Sequence, residues 1–145
     1  MKRFCLILLL LFAVSAAFAQ DCLKIMTYNV RNSKGMDNVM DSRRAANVIR
    51  AQAPDVVAVQ ELDSMTRRCG GRYVLGEIAG HIGMHAEYFP AIEFDGGKYG
   101  IGILSKEKPL QVKGYPLPGR EEKRALLIAE FEDYIFACTH LSLTE

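Results

Sequence analysis

The chain has 145 residues, 50% of them hydrophobic and 24% charged, with a formal net charge of +1 and no low-complexity run, which predicts one globular domain. So small a charge excludes the broad basic footprint that gives proteins sequence-independent affinity for nucleic acid, and no stable nucleic-acid partner is expected. No internal repeat is visible, which excludes solenoids and propellers.

The first segment reads as a secretory signal peptide over residues 1–19. Met1-Lys2-Arg3 is a short basic start, Phe4 to Val14 is an unbroken apolar run, and Ala17-Phe18-Ala19 is a small-x-small cleavage motif. The apolar run is too short to cross a bilayer comfortably, and Gln20 and Asp21 follow at once, so no membrane span is expected after cleavage. The product is then an exported domain, periplasmic or secreted, over residues 20–145. Export makes cysteines worth counting: Cys22, Cys69 and Cys138 remain after cleavage. At most one disulfide can form among three thiols, and free, mostly buried thiols are the other reading. No zinc-type Cys-x-x-Cys spacing occurs.

Leu23 to Val30 alternates as a strand, with Asn29 ending one of its faces. Turn residues follow from Asn32 to Asp37. Asp41 or Ser42 can then cap a helix with Ala45, Val48 and Ile49 at helical spacing, stopped by Pro54. Val56-Val57-Ala58-Val59 is apolar on both faces, as a strand covered on both sides requires, and it ends in Gln60-Glu61. Cys69-Gly70-Gly71 leads to a second helix, Arg72 to Ala79, closed by Gly80 and Gly83. Met84 to Phe89 reads as a strand. Asp95-Gly96-Gly97 joins Ala91–Phe94 to Tyr99–Leu104 as a hairpin. Leu110 to Lys113 is one more short strand, Pro116 to Gly119 a loop, and Arg124–Phe131 with Tyr134–His140 a final hairpin. Strand, helix, strand, helix and then several strands argue an α/β or α+β layered fold with a mixed sheet and flanking helices.

Three polar residues, Asn29, Glu61 and His140, end otherwise apolar strands, where open sheets present ligand groups. A carboxylate such as Glu61 offers a hard oxygen to Mg2+ or Mn2+, ions that fill most of their coordination with water and substrate phosphate. Asn29 can add a neutral ligand or hold a phosphate oxygen. The His140 imidazole can move protons or stabilise charge on phosphorus oxygens.

The flanking segments carry a resemblance. Met26-Thr27-Tyr28-Asn29-Val30-Arg31 and Pro54-Asp55-Val56-Val57-Ala58-Val59-Gln60-Glu61-Leu62 resemble the endonuclease/exonuclease/phosphatase superfamily, and so, in order, do Tyr99 to Ser105, Lys123 to Leu127 and Cys138-Thr139-His140-Leu141. The resemblance implies a metal-dependent phosphoesterase acting on a phosphodiester or phosphomonoester. In it Glu61 binds the catalytic metal, Asn29 lies beside it as ligand or phosphate contact, His140 matches the first of two family histidines, and Arg124 is a basic contact to substrate phosphate. Ile101 departs from the pattern, since many relatives carry Asn there, and no polar role is transferred to it. The family's later Asp-x-Asn and Ser-Asp-His segments have no counterpart in this chain. The resemblance therefore implies the N-terminal half of a four-layer α/β/β/α sandwich, close to inactive by itself, with an inner sheet face at Phe136 or Ile135 open to water and prone to association. Two rivals stand beside it. One is a non-catalytic exported binding or structural module keeping relic metal-site residues. The other, a zinc site on His81 and His85, suffers from Gly83 between them and from the lack of His-Glu-x-x-His.

Overall fold

The structure is a computed structural model that describes residues 22–142, so the expected signal peptide lies outside the described residues. Strand β1 (Ile25–Asn29) runs parallel to β2 (Val56–Ser64), and helix α1 (Ser42–Gln52) connects them. Asp41 caps α1, its Oδ1 accepting the Arg43 amide N–H at 2.9 Å, and Ala53 ends it in a left-handed conformation at φ 48° just before Pro54. Helix α2 (Val74–Ile82) keeps Gly80 inside its last turn and stops at Gly83, whose φ of 71° only glycine adopts freely.

Strand β3 (His85–Phe94) is one element where two segments were expected, because the ladder shifts register between Pro90 and Ile92 and absorbs the missing proline N–H. It pairs with β4 (Gly97–Ser105) across a tight turn in which Asp95 and Gly96 are both left-handed, at φ 47° and 79°. The first sheet has the order β1-β2-β4-β3. A separate antiparallel sheet follows, β5 (Gln111–Leu117), β6 (Arg124–Glu130) and β7 (Ile135–Thr139). The α/β class with a mixed sheet and flanking helices is as expected.

Alternation along β2 and β4 builds two cores. Val57, Val59, Leu62 and Leu104 pack against Ile49 of α1 and Leu75 and Ile78 of α2. Val56, Ala58, Ile101 and Ile103 face the other way, onto Ala125, Leu127, Ala129 and Cys138 of the second sheet. The layers are thus helices, mixed sheet, antiparallel sheet. The expected water-exposed inner face is corrected by this packing: Phe136 is half-buried against the inter-sheet core, while Ile135 lies on the opposite, outward face and is 70% exposed. The chain supplies both sheets, so β2 and β4 are covered by the second sheet, while the same face of β1 stays open to water as expected, with Ile25, paired with Val56, 62% exposed. Among the described residues Cys22, Cys69 and Cys138 are all free, Cys22 exposed and Cys69 and Cys138 buried.

The loop after β2 is clamped to the β3–β4 hairpin. Asp63, fully buried, accepts two hydrogen bonds from the Arg68 guanidinium, at 2.6 and 2.7 Å, and that guanidinium lies 4.4 Å from the Phe94 ring centre and 5.4 Å from that of Tyr99. Asp95 takes the Arg68 amide N–H at 2.7 Å and Arg67 Nε at 3.0 Å.

Two outcomes follow from this packing. Adding a methyl at Gly102 drives it into the Leu75 side chain, so Gly102→Ala should lower stability by about 1–3 kcal/mol in urea titrations, with Leu75→Ala in the same chain offsetting part of that loss. The Asp95 carboxyl is held below the ordinary carboxylate range, first by the Arg68 amide and then by Arg67. A depressed folded value means its support is present above the unfolded value and fades as pH falls through the folded one. Protection factors of the loop amides, taken against intrinsic exchange at each pH, should therefore fall on acidification below that range, and Asp95→Asn should show the reduced protection at neutral pH already.

Candidate functional site

The carboxylate at the centre of the site is placed by a defect in β2. Val59 pairs with Gly102 and Leu62 with Gly100, so Gln60 and Glu61 together stand opposite one residue of β4, a β-bulge. The extra residue changes parity: Leu62, not residue 61, continues the helix-facing core of Val57 and Val59. Glu61 is released from both cores, with φ at 60°, a left-handed conformation uncommon for a non-glycine residue. It therefore lies within β2 rather than at its end, which corrects the expectation for this strand; the ladder resumes beyond it to Ser64.

Neighbouring strands bring the partners. Asn29, last residue of β1, is paired with Gln60 and donates from Nδ2 to Glu61 Oε1 at 2.8 Å. Its Oδ1 accepts the Arg31 amide N–H at 3.0 Å, so both ends of the amide are engaged. Arg31, Asn32 and Ser33 then make a left-handed turn, at φ 46°, 46° and 61°. Such a turn costs roughly 1–2 kcal/mol per residue and is held here by Ser33 N–H to Val30 O at 2.8 Å and Lys34 N–H to Arg31 O at 2.9 Å.

His140 follows β7 directly. Its Nε2 lies 4.0 Å from Glu61 Oε1, beyond hydrogen-bond length. The backing is buried and polar: Gln60 Nε2 donates to Thr27 Oγ1 at 3.1 Å and contacts Cys138 Sγ at 3.7 Å, tying the two sheets together behind the site. Burial pushes the Cys138 thiol up to about 11, so it remains protonated at neutral pH and packs as a core group. Arg124 opens β6, with only 9% of its side chain exposed; Nη1 donates to Glu122 Oε1 at 2.6 Å, while Nε has no hydrogen-bond acceptor.

One groove therefore gathers all four residues expected from sequence, Asn29, Glu61, Arg124 and His140. It also includes Tyr99, Glu121 and Glu122, which were not foreseen. Tyr99 pairs with Asp63 on the neighbouring strand, and burial, then the charges of Glu61 and Glu122, keep its hydroxyl protonated well above the ordinary tyrosine range. Glu122 lies in a bend just before β6, where no strand period orients it, so no sequence pattern pointed to it. Ile101, where no polar role was expected, is 2% exposed in the inter-sheet core.

A divalent cation suits this donor set. Glu61 supplies an anionic oxygen that is held in orientation yet 28% exposed, with an amide and an imidazole beside it, and Mg2+ or Mn2+ require few protein ligands. Among the described residues no group of three or more His, Cys, Asp and Glu side chains is placed to enclose a metal ion, so a closed zinc-type cage is not built, and His81 and His85 are separated by the end of α2.

Comparison with known proteins places this fold. Solved structures with the same fold include an endonuclease/exonuclease/phosphatase from Beutenbergia cavernae, 22% identical, covering 82% of this chain and 38% of its own, at a TM-score of 0.64. A family protein from Leptotrichia buccalis is 13% identical over 83% of this chain and 55% of its own, at a TM-score of 0.62. D. rerio TDP2 complexed with a single-strand DNA product is 22% identical over 83% and 45%, at a TM-score of 0.56. The chain thus spans about half the length of these relatives or less. A sequence profile matches residues 26–142, and the chain belongs to the Endonuclease/Exonuclease/phosphatase family, with the phosphoesterase- and nuclease-type hydrolase fold.

Proposed function

We propose that this chain carries the metal- and phosphate-binding half of an exported, Mg2+-dependent phosphoesterase that hydrolyses a phosphodiester or phosphomonoester. The observation that carries the reading is the meeting of Asn29, Glu61 and His140 from three strands at one groove, with the Arg124 guanidinium in its wall. Strand-to-strand convergence of this kind is expensive to build by chance, because Glu61 reaches it only through a bulge and a left-handed backbone.

Each residue has a role its surroundings support. Glu61 and the Oδ1 of Asn29 hold the ion, the amide nitrogen of Asn29 fixing the carboxylate at the same time. When bound, Mg2+ or Mn2+ supplies Lewis-acid polarisation of the phosphoryl oxygens. His140 moves a proton or stabilises the charge that builds on those oxygens. Arg124, in the wall of the groove and held through Nη1 by Glu122, brings a guanidinium charge to the side where a substrate phosphate would lie. The Tyr99 hydroxyl, protonated at working pH, adds a neutral donor to the same wall.

Half the family length is half the machinery. Groups that orient the attacking water and supply the second acid or base belong to the rest of a family-length protein, and the 145-residue chain alone turns over slowly or not at all. The D. rerio relative carries a DNA product, yet the near-neutral charge of this chain favours a smaller phosphoester, such as a lipid head group, an inositol phosphate or another small ester.

Titrating the chain with Mn2+ should broaden the NMR signals of Asn29, Glu61 and His140 before all others, and Glu61→Gln should remove that selectivity; uniform broadening in both would overturn the metal site. In a family-length form, Glu61→Ala should cost at least about 100-fold in Mg2+-dependent hydrolysis of bis(p-nitrophenyl) phosphate, and a chelator should do the same to the parent protein. Undiminished turnover in Glu61→Ala would sink the role given to that carboxylate.

A further inference from the structure

Asp63 is a buried carboxylate that the proposed chemistry does not use. It lies two residues beyond Glu61 on β2, wholly excluded from solvent and not among the residues that line the groove. Arg68 answers its charge with a bidentate contact, Nε to Oδ2 at 2.6 Å and Nη2 to Oδ1 at 2.7 Å, and Thr66 Oγ1 donates to Oδ2 at 3.1 Å. Taking such a pair out of water is unfavourable, and apolar side chains in the same space are often as stable or more so. Stability alone therefore does not account for the pair. The same guanidinium, however, meets three segments that border the site. Through Asp63 it holds β2 just past the bulge that frees Glu61. Its Cζ lies over the Phe94 ring and 5.4 Å from the ring centre of Tyr99, which is paired with Asp63 and stands in the groove wall. In the amide orientation that satisfies both ends of its side chain, Asn32 donates to the Arg31 carbonyl and accepts from Arg68 Nε and Nη2, each at 3.3 Å. Asn32 belongs to the left-handed turn that the Asn29 side chain fixes.

We propose that Arg68 is a positioning residue for the metal site, setting the separation of Asn29 and Glu61 by tying the turn that follows one to the strand that follows the other. The inference rests on the reading of Asn29 and Glu61 as ligands of a divalent cation. Arg68 is not part of the groove lining, so it acts through Asp63 and Asn32. Both segments that it braces are strained, with φ at 60° for Glu61 and 46° for Asn32, and each would relax if released. Mg2+ accepts oxygens only near about 2.0–2.1 Å in octahedral directions, so small drifts of either ligand weaken it. A lysine cannot do the same work, because a compact ammonium lacks the planar fork that spans both oxygens of Asp63. Charge alone predicts the opposite sign. The Arg68 cation reaches the Tyr99 hydroxyl with its field, so removing it would favour a bound metal ion if charge were all that it contributed.

The test uses the 145-residue chain and Mn2+ alone, with Kd read from the broadening of the Asn29 and Glu61 NMR signals and a urea midpoint taken for every variant. Arg68→Met, similar in length and uncharged, should weaken Mn2+ binding by about tenfold. Arg68→Lys, which keeps the charge, should weaken it nearly as much. Before metal is added, the Asn29 Nδ2 proton donated to Glu61 should shift toward the free-amide position in both variants. Ile78→Val, which trims the helix-facing core, should lower the urea midpoint and leave Mn2+ affinity within about twofold. Unchanged or tighter Mn2+ binding in Arg68→Met, or parent-like binding in Arg68→Lys, overturns the positioning role while the metal site stands. A loss in Ile78→Val as large as that in Arg68→Met assigns the effect to stability and overturns it too. If Arg68→Met does not fold, Arg68→Lys decides alone. If the parent chain binds no Mn2+ at Asn29 and Glu61, the metal reading falls and takes the inference with it.

Discussion

Strand β2 is buried on both faces, by helices on one side and by the second sheet on the other, and every feature of the groove depends on how a carboxylate escapes from such a strand. A regular strand would send residue 61 into the helix-facing core, where an ionised glutamate would need a buried partner or lose its charge. The bulge avoids this. By setting Gln60 and Glu61 against a single residue of β4, it gives the core Leu62 in place of Glu61 and turns the carboxylate toward Asn29 and His140. The site thus begins with a packing problem and its backbone solution.

Around that point the protein is stiff in a graded way. Behind Glu61, the Gln60–Thr27 and Gln60–Cys138 contacts close the gap between sheets with satisfied polar groups. On one flank, Arg68 bridges Asp63 to the Phe94 and Tyr99 rings, so the loop after β2 and the β3–β4 hairpin move together. On the other flank, the left-handed turn from Arg31 to Ser33 is fixed through the Asn29 side chain. Within the groove, the segment that carries Glu121 and Glu122, between β5 and β6, and His140, just after β7, lie outside regular structure.

Much of this was legible in the sequence, and unevenly so. Patterns with one dominant physical cause came through: the double-sided burial of Val56 to Val59, the Asp41 cap, the Asp95-Gly96 turn, and the final hairpin, though its last strand stops one residue short of His140. The four expected site residues meet in one groove because flanking segments, not isolated letters, identified them. Features that need a partner to exist stayed hidden. A bulge is a relation between β2 and β4, and Gln60-Glu61 alone says nothing of it. Tyr99 looked like one residue of a glycine-rich strand until pairing set it opposite Asp63. The covering of the inner sheet face depended on β5, β6 and β7 folding onto β2 and β4 as a second sheet, whereas local patterns gave only a list of strands.

The backbone at position 61 sets strain against the groove. A glutamate held at φ 60° is strained by its own Cβ, and glycine would relieve that strain by a sizeable fraction of a kcal/mol. The side chain fills neither core, and what it holds is the hydrogen bond from Asn29. A glycine here would keep the bulge at lower backbone cost and leave the Asn29 amide without the acceptor that now anchors the end of β1 to β2.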